Sequence, residues 1–234
     1  MIYKNLHQIW LRGPLPEKYL SWIETTKSLH PDWTYKLWSG EEIRNLIEKR
    51  HDWFISIYDN YPYDIQRCDV ARYFILYEYG GLYLDLDIEC IKNVEDILDR
   101  DCVLFHQYPD NNNNFGYRMN FPRDILTITN SIYYAKPKNK FIYFCIKNLR
   151  FAKDVKRKDG RPSVMMSTSP GFMTQMYHRY KHIADIQLHD HTFFEAISKD
   201  ERKDILLNNK KYSHINTYGM HWNVCSWNNN SWYV

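Results

Sequence analysis

The sequence predicts an α/β domain, a mixed and mainly parallel sheet flanked by helices. Three observations carry that expectation. Residues 1 to 38 read strand, helix, strand, the order of a parallel βαβ unit. The stretch from Cys68 to Glu89 reads helix, glycine break, strand, and its apolar period changes from helical spacing to two at Gly80 and Gly81. A chain of 234 residues, 44% of them hydrophobic, can bury a full core and is most simply one domain, 1–234.

In order, the first element is a strand from Ile2 to Trp10. Alternation puts Leu6, Gln8 and Trp10 on one side and His7 and Ile9 on the other. Pro14 and Pro16 break the chain, and a helix follows with Tyr19, Leu20, Trp22, Ile23 and Leu29 facing inward. His30, Pro31 and Asp32 turn it into a short strand, Thr34 to Trp38. Ile43, Leu46 and Ile47 mark a second helix; Trp53, Phe54, Ile57 and Tyr58 mark a third. The next helix repeats Val70, Ala71, Phe74, Ile75 and Tyr77, and stacks Asp69, Arg72 and Leu76 on a different side. Gly80 and Gly81 end it, because glycine takes a left-handed cap at no steric cost. Leu82, Leu84, Leu86 and Ile88 then fall on one face of a strand, and Tyr83, Asp85, Asp87 and Glu89 on the other. Beyond come a connection with a short helix (Ile91 to Leu98), a strand from Val103 to Gln107 and a polar, turn-rich loop from Pro109 to Asn120. A strand from Ile125 to Ile132 carries Asn130, and a helix from Lys138 to Arg150 buries Phe141, Ile142, Cys145 and Leu149. Ser167-Thr168-Ser169-Pro170-Gly171 opens the next helix, with Ser167 or Ser169 as its cap. The tail, 219–234, is dense in tryptophan and reads as a segment that either docks as an active-site-closing lid or packs as a fixed plug.

Asp85 and Asp87 are the chemically informative pair. On one face of a strand they lie about 7 Å apart, which at an effective dielectric near 20 is a repulsion of about 2 kcal/mol. In water, screening removes most of that cost. Within the body of a domain, a divalent cation between the carboxylates accounts for the pair, and hard oxygen ligands suit Mg²⁺ or Mn²⁺.

Composition bounds the partners. The net charge of +3 does not call for nucleic acid, and the basic run from Lys153 to Arg161 reads as a solvated loop, with contact to an anionic acceptor or a membrane surface as the other reading. No apolar stretch approaches the roughly 18 residues of a membrane span. The five cysteines form no C-x-x-C pair and read as reduced thiols, and MIYKNLHQIW has no signal-peptide pattern, so a cytoplasmic protein is expected.

The string D-x-x-R (Asp69, Arg72) followed by G-G-x-Y-x-D-x-D (Gly80 to Asp87) resembles the signature of the DXD-containing family 32 glycosyltransferases, which include initiating mannosyltransferases and capsular-polysaccharide sugar transferases. It is also similar to the glucosyltransferase domain of the large clostridial toxins. The resemblance implies a GT-A-type nucleotide-sugar-binding domain that moves a hexose from a UDP- or GDP-sugar to an acceptor hydroxyl with retention. In that reading the diphosphate group leaving from the donor accepts the proton. It implies Mn²⁺ or Mg²⁺ held by Asp85 and Asp87, and Asp69 and Arg72 orienting the transferred sugar. Tyr83 would hold the ribose or diphosphate, and Asn130 the donor sugar. HQIW resembles the family's opening strand, which makes Trp10 either the aromatic that stacks on the base or a core tryptophan. His221, Ser226 and Trp227 fit the family's closing His followed by S-W, with His221 a metal ligand or part of an aromatic plug. The family's T-G-P is here Thr168-Ser169-Pro170, a departure that adds a side chain. Two other classes share the acidic pair: a metal-dependent nucleotide-sugar phosphohydrolase, which needs more clustered carboxylates, and a noncatalytic sugar-binding protein on the same scaffold.

Overall fold

The computed structural model describes residues 1–108, 121, 125–208 and 216–223, the side chains of residues 199, 200, 203 and 206 excepted. The loop expected over 109–120 and the site residues Ser226 and Trp227 lie outside the described residues. In chain order the elements are β1 (Asn5–Ile9), α1 (Leu20–Leu29), β2 (Thr34–Trp38), α2 (Gly40–Arg50), α3 (Asp52–Asp59), α4 (Asp64–Tyr79), β3 (Gly81–Leu84) and β4 (Ile88–Cys90). Then follow β5 (Cys102–Phe105), β6 (Ile132–Ala135), α5 (Lys140–Ala152), α6 (Val164–Ser167), α7 (Pro170–Tyr180), β7 (Ile186–His189), α8 (Lys199–Asn208) and β8 (Gly219–His221).

Local signals set several of these bounds. Ser39 and Glu42 form a capping box at the start of α2, satisfying two backbone donors that the first turn leaves open. Asn139 accepts from the Phe141 and Ile142 amides at the start of α5. Gly80 ends α4 at φ 63°, its amide bonded to Leu76 O at 2.9 Å.

The main sheet has six strands in the order β2-β1-β3-β6-β5-β7. β1 pairs in parallel with β2 and β3, and β5 with β7, while β6 runs antiparallel to both β3 and β5. A second, two-stranded sheet pairs β4 with β8 antiparallel. The alternation read in the sequence sorts the two faces. Tyr83, Leu104 and Tyr133 pack against α4, α5 and α7, whereas Leu82, Leu84, Val103, Phe105 and Tyr134 fill a core with Leu6, Ile88 and Phe194. α4 is enclosed: every residue from Cys68 to Leu76 is buried, Asp69 and Arg72 included. A helix stretch buried all round loses its amphipathic pattern, so Asp69 and Arg72 need partners, and they find them in each other at 3.1 Å and in groups outside the helix. Cys68, Cys90, Cys102 and Cys145 are buried free thiols.

Three expectations are corrected. Leu20 faces solvent, 46% exposed, at the first position of α1. The strand expected over Ile125 to Ile132 begins only at Ile132. Before it, Ile128 makes an isolated bridge to His106, and the Thr129 hydroxyl accepts from the Ser131 amide at 3.2 Å. Short hydroxyl side chains compete in this way for backbone donors and bend the chain. The strand expected through Glu89 breaks after Leu84, because the Ile88 amide turns back onto Asp85 O at 3.1 Å and β4 joins the other sheet.

Candidate functional site

Asp85 and Asp87 therefore sit in a turn between two sheets and not on one face of a strand. The turn is pinned on both sides. The Asp85 amide donates to Ser131 O at 2.8 Å, and the Trp222 amide donates to Asp87 O at 2.9 Å. From β1, Gln8 Nε2 donates to Asp85 O at 3.3 Å, and Tyr35 holds the Gln8 carbonyl at 2.8 Å. The register of β1 with β3 sets Leu6 opposite Leu82 and His7 opposite Tyr83. The carboxyl ends of both strands thus emerge together, where open α/β sheets bind their ligands.

Asp85 Oδ1 receives the Tyr83 hydroxyl at 2.6 Å and lies 3.1 Å from Arg72 Nη2. The same Nη2 lies 3.1 Å from Asp69 Oδ1, and Arg72 Nη1 donates to Asn130 O at 2.5 Å. Arg72 also sits over the Tyr83 ring, 4.8 Å from its centre. Behind it Asp69 has both oxygens engaged. Asn130 Nδ2 meets Oδ1 at 2.9 Å, while the Thr168 hydroxyl at 3.0 Å and the Ser169 hydroxyl meet Oδ2. Ser169, at the start of α7, uses its hydroxyl on Asp69 and makes no side-chain cap. Burial pushes the Asp69 carboxyl up, with Arg72 and the hydroxyls pulling the other way. Burial works against the Arg72 charge too, but Asp85 and Asp69 hold it firmly protonated. Burial and then the charge of Asp87 raise Asp85 to about 6, against the pull of Arg72.

The third side chain arrives from β8. Asp85, Asp87 and His221 each offer one ligand atom, all within 4.8 Å of one another. His221 Nε2 lies 3.4 Å from Asp87 Oδ1, and Nδ1 lies 3.0 Å from Glu195 Oε1. Burial alone would lower this imidazole, but Asp87 and Glu195 raise it to about 10. The donor set suits a divalent cation: two carboxylates and an imidazole from two independent backbone segments, which is a common ligand combination for Mn²⁺. Arg72 and Tyr83 both meet Oδ1 of Asp85, so one oxygen of that carboxylate is already engaged within the protein.

Trp10 follows β1, half-buried, with its Nε1 donating to Gly13 O at 3.2 Å and its ring 5.8 Å from Tyr19. It fringes the small core of Tyr19, Ile23 and Leu86, so it borders the Asp85–Asp87 turn. Trp222 stacks on Trp22 of α1 at 6.2 Å and 17°, and its Nε1 donates to Glu89 at 3.0 Å. The structure thus gathers Asp69, Arg72, Tyr83, Asp85, Asp87, Asn130 and His221 into one cluster, with Trp10 at its edge. Sequence reasoning missed Gln8, Trp22 and Glu195. Gln8 alone carried a readable signal, a polar residue among apolar strand neighbours.

Residues 16–104 match the glycosyltransferase sugar-binding region containing a DXD motif, and the string from Asp69 to Asp87 lies inside that match. Inositol phosphoceramide mannosyltransferase 3 of Schizosaccharomyces pombe is 33% identical over 193 residues, 81% of this chain and 49% of that protein. The chain spans about half the length of the curated relatives it matches. In backbone, the PaToxG glycosyltransferase is similar with a TM-score of 0.52 at 18% identity, over 78% of this chain and 70% of that one. The UDP-bound glycosyltransferase domain from the YGT toxin has a TM-score of 0.53 at 9% identity, over 92% and 88%. These likenesses show the fold to be of the GT-A type.

Proposed function

We propose that this chain is a glycosyltransferase of the DXD-containing kind that its residues 16–104 match, transferring a hexose from a nucleoside diphosphate sugar to an acceptor hydroxyl with retention. The observation that carries the reading is the convergence of Asp85, Asp87 and His221 within 4.8 Å, with Arg72 against Asp85. Asp87, His221 and Asp85 would hold Mn²⁺ or Mg²⁺, which supplies Lewis acidity to the departing diphosphate. Arg72 sets a fixed positive charge beside the same site, where negative charge develops on the leaving oxygen. Asp69, Asp85 and the Asn130 carbonyl engage both terminal nitrogens of that guanidinium and so orient it. A sugar hydroxyl reaches Asp69 only by replacing Asn130, Thr168 or Ser169. Trp10, at the end of β1, takes the base, and Tyr83 fixes Asp85 from below.

The name of the fungal relative makes a mannosyl donor and an inositol-bearing lipid hydroxyl the first donor and acceptor to test. Calorimetry with GDP- and UDP-sugars should give binding that requires Mn²⁺ or Mg²⁺ and is lost in Asp87→Ala, with the circular dichroism of the variant unchanged. Equal donor affinity in EDTA would sink the metal reading. Release of free sugar, unaffected by any acceptor, would assign the chain to hydrolysis.

A further inference from the structure

We propose that Glu195 is a positioning residue that fixes the His221 imidazole with Nε2 turned toward Asp85 and Asp87. The inference rests on reading those three side chains as a cation site. Glu195 is 4% exposed and comes just after the short turn His191–Phe193. A buried carboxylate is tolerated only when its oxygens are matched, and here each oxygen has its own donor. Oε1 accepts from His221 Nδ1 at 3.0 Å, and Oε2 accepts from the Tyr108 amide at 2.8 Å.

The backbone on which Glu195 stands is tied to the strand it braces. The Tyr218 amide donates to Phe193 O at 2.9 Å, and the His221 amide donates to Phe194 O at 2.8 Å. Carboxylate and imidazole are therefore held in one frame, and neither needs a long flexible reach. An imidazole that ligates through Nε2 must carry its proton on Nδ1, and the group accepting that proton sets the tautomer and the ring plane. Glutamine cannot do the same work, because two donors converge on this side chain and an amide offers one acceptor oxygen. Its NH₂ would face either Tyr108 N–H or His221 Nδ1–H.

The test is Mn²⁺ affinity of the full chain without donor sugar, measured by calorimetry for the wild type, Glu195→Gln, His221→Ala, Asp87→Ala and Glu195→Gln/His221→Ala. We expect Glu195→Gln to weaken Mn²⁺ binding about 10-fold or more, as loss of such partners does elsewhere. In the double variant it should add nothing to the loss from His221→Ala. Wild-type affinity in Glu195→Gln, or an equal further loss in the double variant, would overturn the proposal while leaving the cation site standing. Unchanged affinity in both His221→Ala and Asp87→Ala would instead overturn the cation site itself. A measurement on the wild type covers the case in which Glu195→Gln does not fold. ¹⁵N-edited spectra of the Mg²⁺-loaded protein should show the His221 Nδ1 proton shifted downfield and slow to exchange through its bond to Glu195, and a freely exchanging Nδ1 proton would refute the assignment.

Discussion

Two side chains, His7 on β1 and Trp10 just after it, make separable predictions. If Trp10 carries the base, Trp10→Ala should weaken nucleotide binding by about 1–3 kcal/mol, the range for base–aromatic stacking. The ring already has partners in Gly13 and Tyr19, so titration of the folded fraction is the measurement. Normal affinity with a lowered melting temperature would make it a core residue. His7, 4% exposed, has the opposite character. Its Nε2 meets Gly80 O at 2.9 Å, and its Nδ1 accepts from Trp38 Nε1 at 3.2 Å. Both nitrogens are used by the neutral ring, and a second proton would point at another N–H. Burial accordingly lowers His7 from 6.5 to about 4. A histidine depressed on folding contributes stability that is complete above its unfolded value and lost as pH falls from 6.5 toward 4. At about 1.4 kcal/mol per unit the loss is about 3 kcal/mol. Denaturant melts of wild type and His7→Gln should differ by that much less at pH 4 than at pH 7, and a constant difference would refute it.

At the level of elements, the junction of α4 and β3 is the tightest packing in the site's support. Gly81 has φ +106°, and a Cβ there would come 2.3 Å from Asn5 O. Gly81→Ala should therefore cost more than about 2 kcal/mol. Gly160 also has a positive φ, +81°, but has open space around it, so Gly160→Ala should cost only about 1 kcal/mol of backbone preference. Equal losses in urea melts would show that the close approach of β1 is not what demands glycine. This junction was also the most legible part of the sequence, because a helix period, two glycines and a strand period are all local. Asp69, Arg72, Asp85 and Asp87 were readable for the same reason. Glu195 was not: it meets His221 only through the β4–β8 pairing and the turn before α8, and no periodicity encodes that meeting. The change of sheet after Leu84 was hidden as well. The leucine alternation runs on through Leu86 and Ile88, but Leu86 belongs to the Tyr19 and Ile23 core, off the main sheet.

For the whole molecule, the proposed ligands join two sheets, Asp85 and Asp87 from the end of β3 and His221 from β8. A cation bound only by the native arrangement should stabilise all of it. At 100 times its dissociation constant, Mn²⁺ should add about 2.7 kcal/mol, or roughly 5–10 °C in melting temperature for a chain of this size. Scanning calorimetry with and without Mn²⁺ tests this, and a melting temperature unmoved in the wild type would count against a native-state site. The stacked pair of Trp22 and Trp222 closes about 200 residues of sequence, and the bond from Trp222 to Glu89 closes 133. On a ribosome making roughly 5–20 residues per second, Asp85 and Asp87 are in place many seconds before His221 exists. A nascent chain can close its main sheet around Arg72 in that interval, yet it lacks the third donor until β8 is made and docks. Among the described residues β8 is the last element in chain order, so its pairing with β4 is the step that brings His221 beside Asp85 and Asp87.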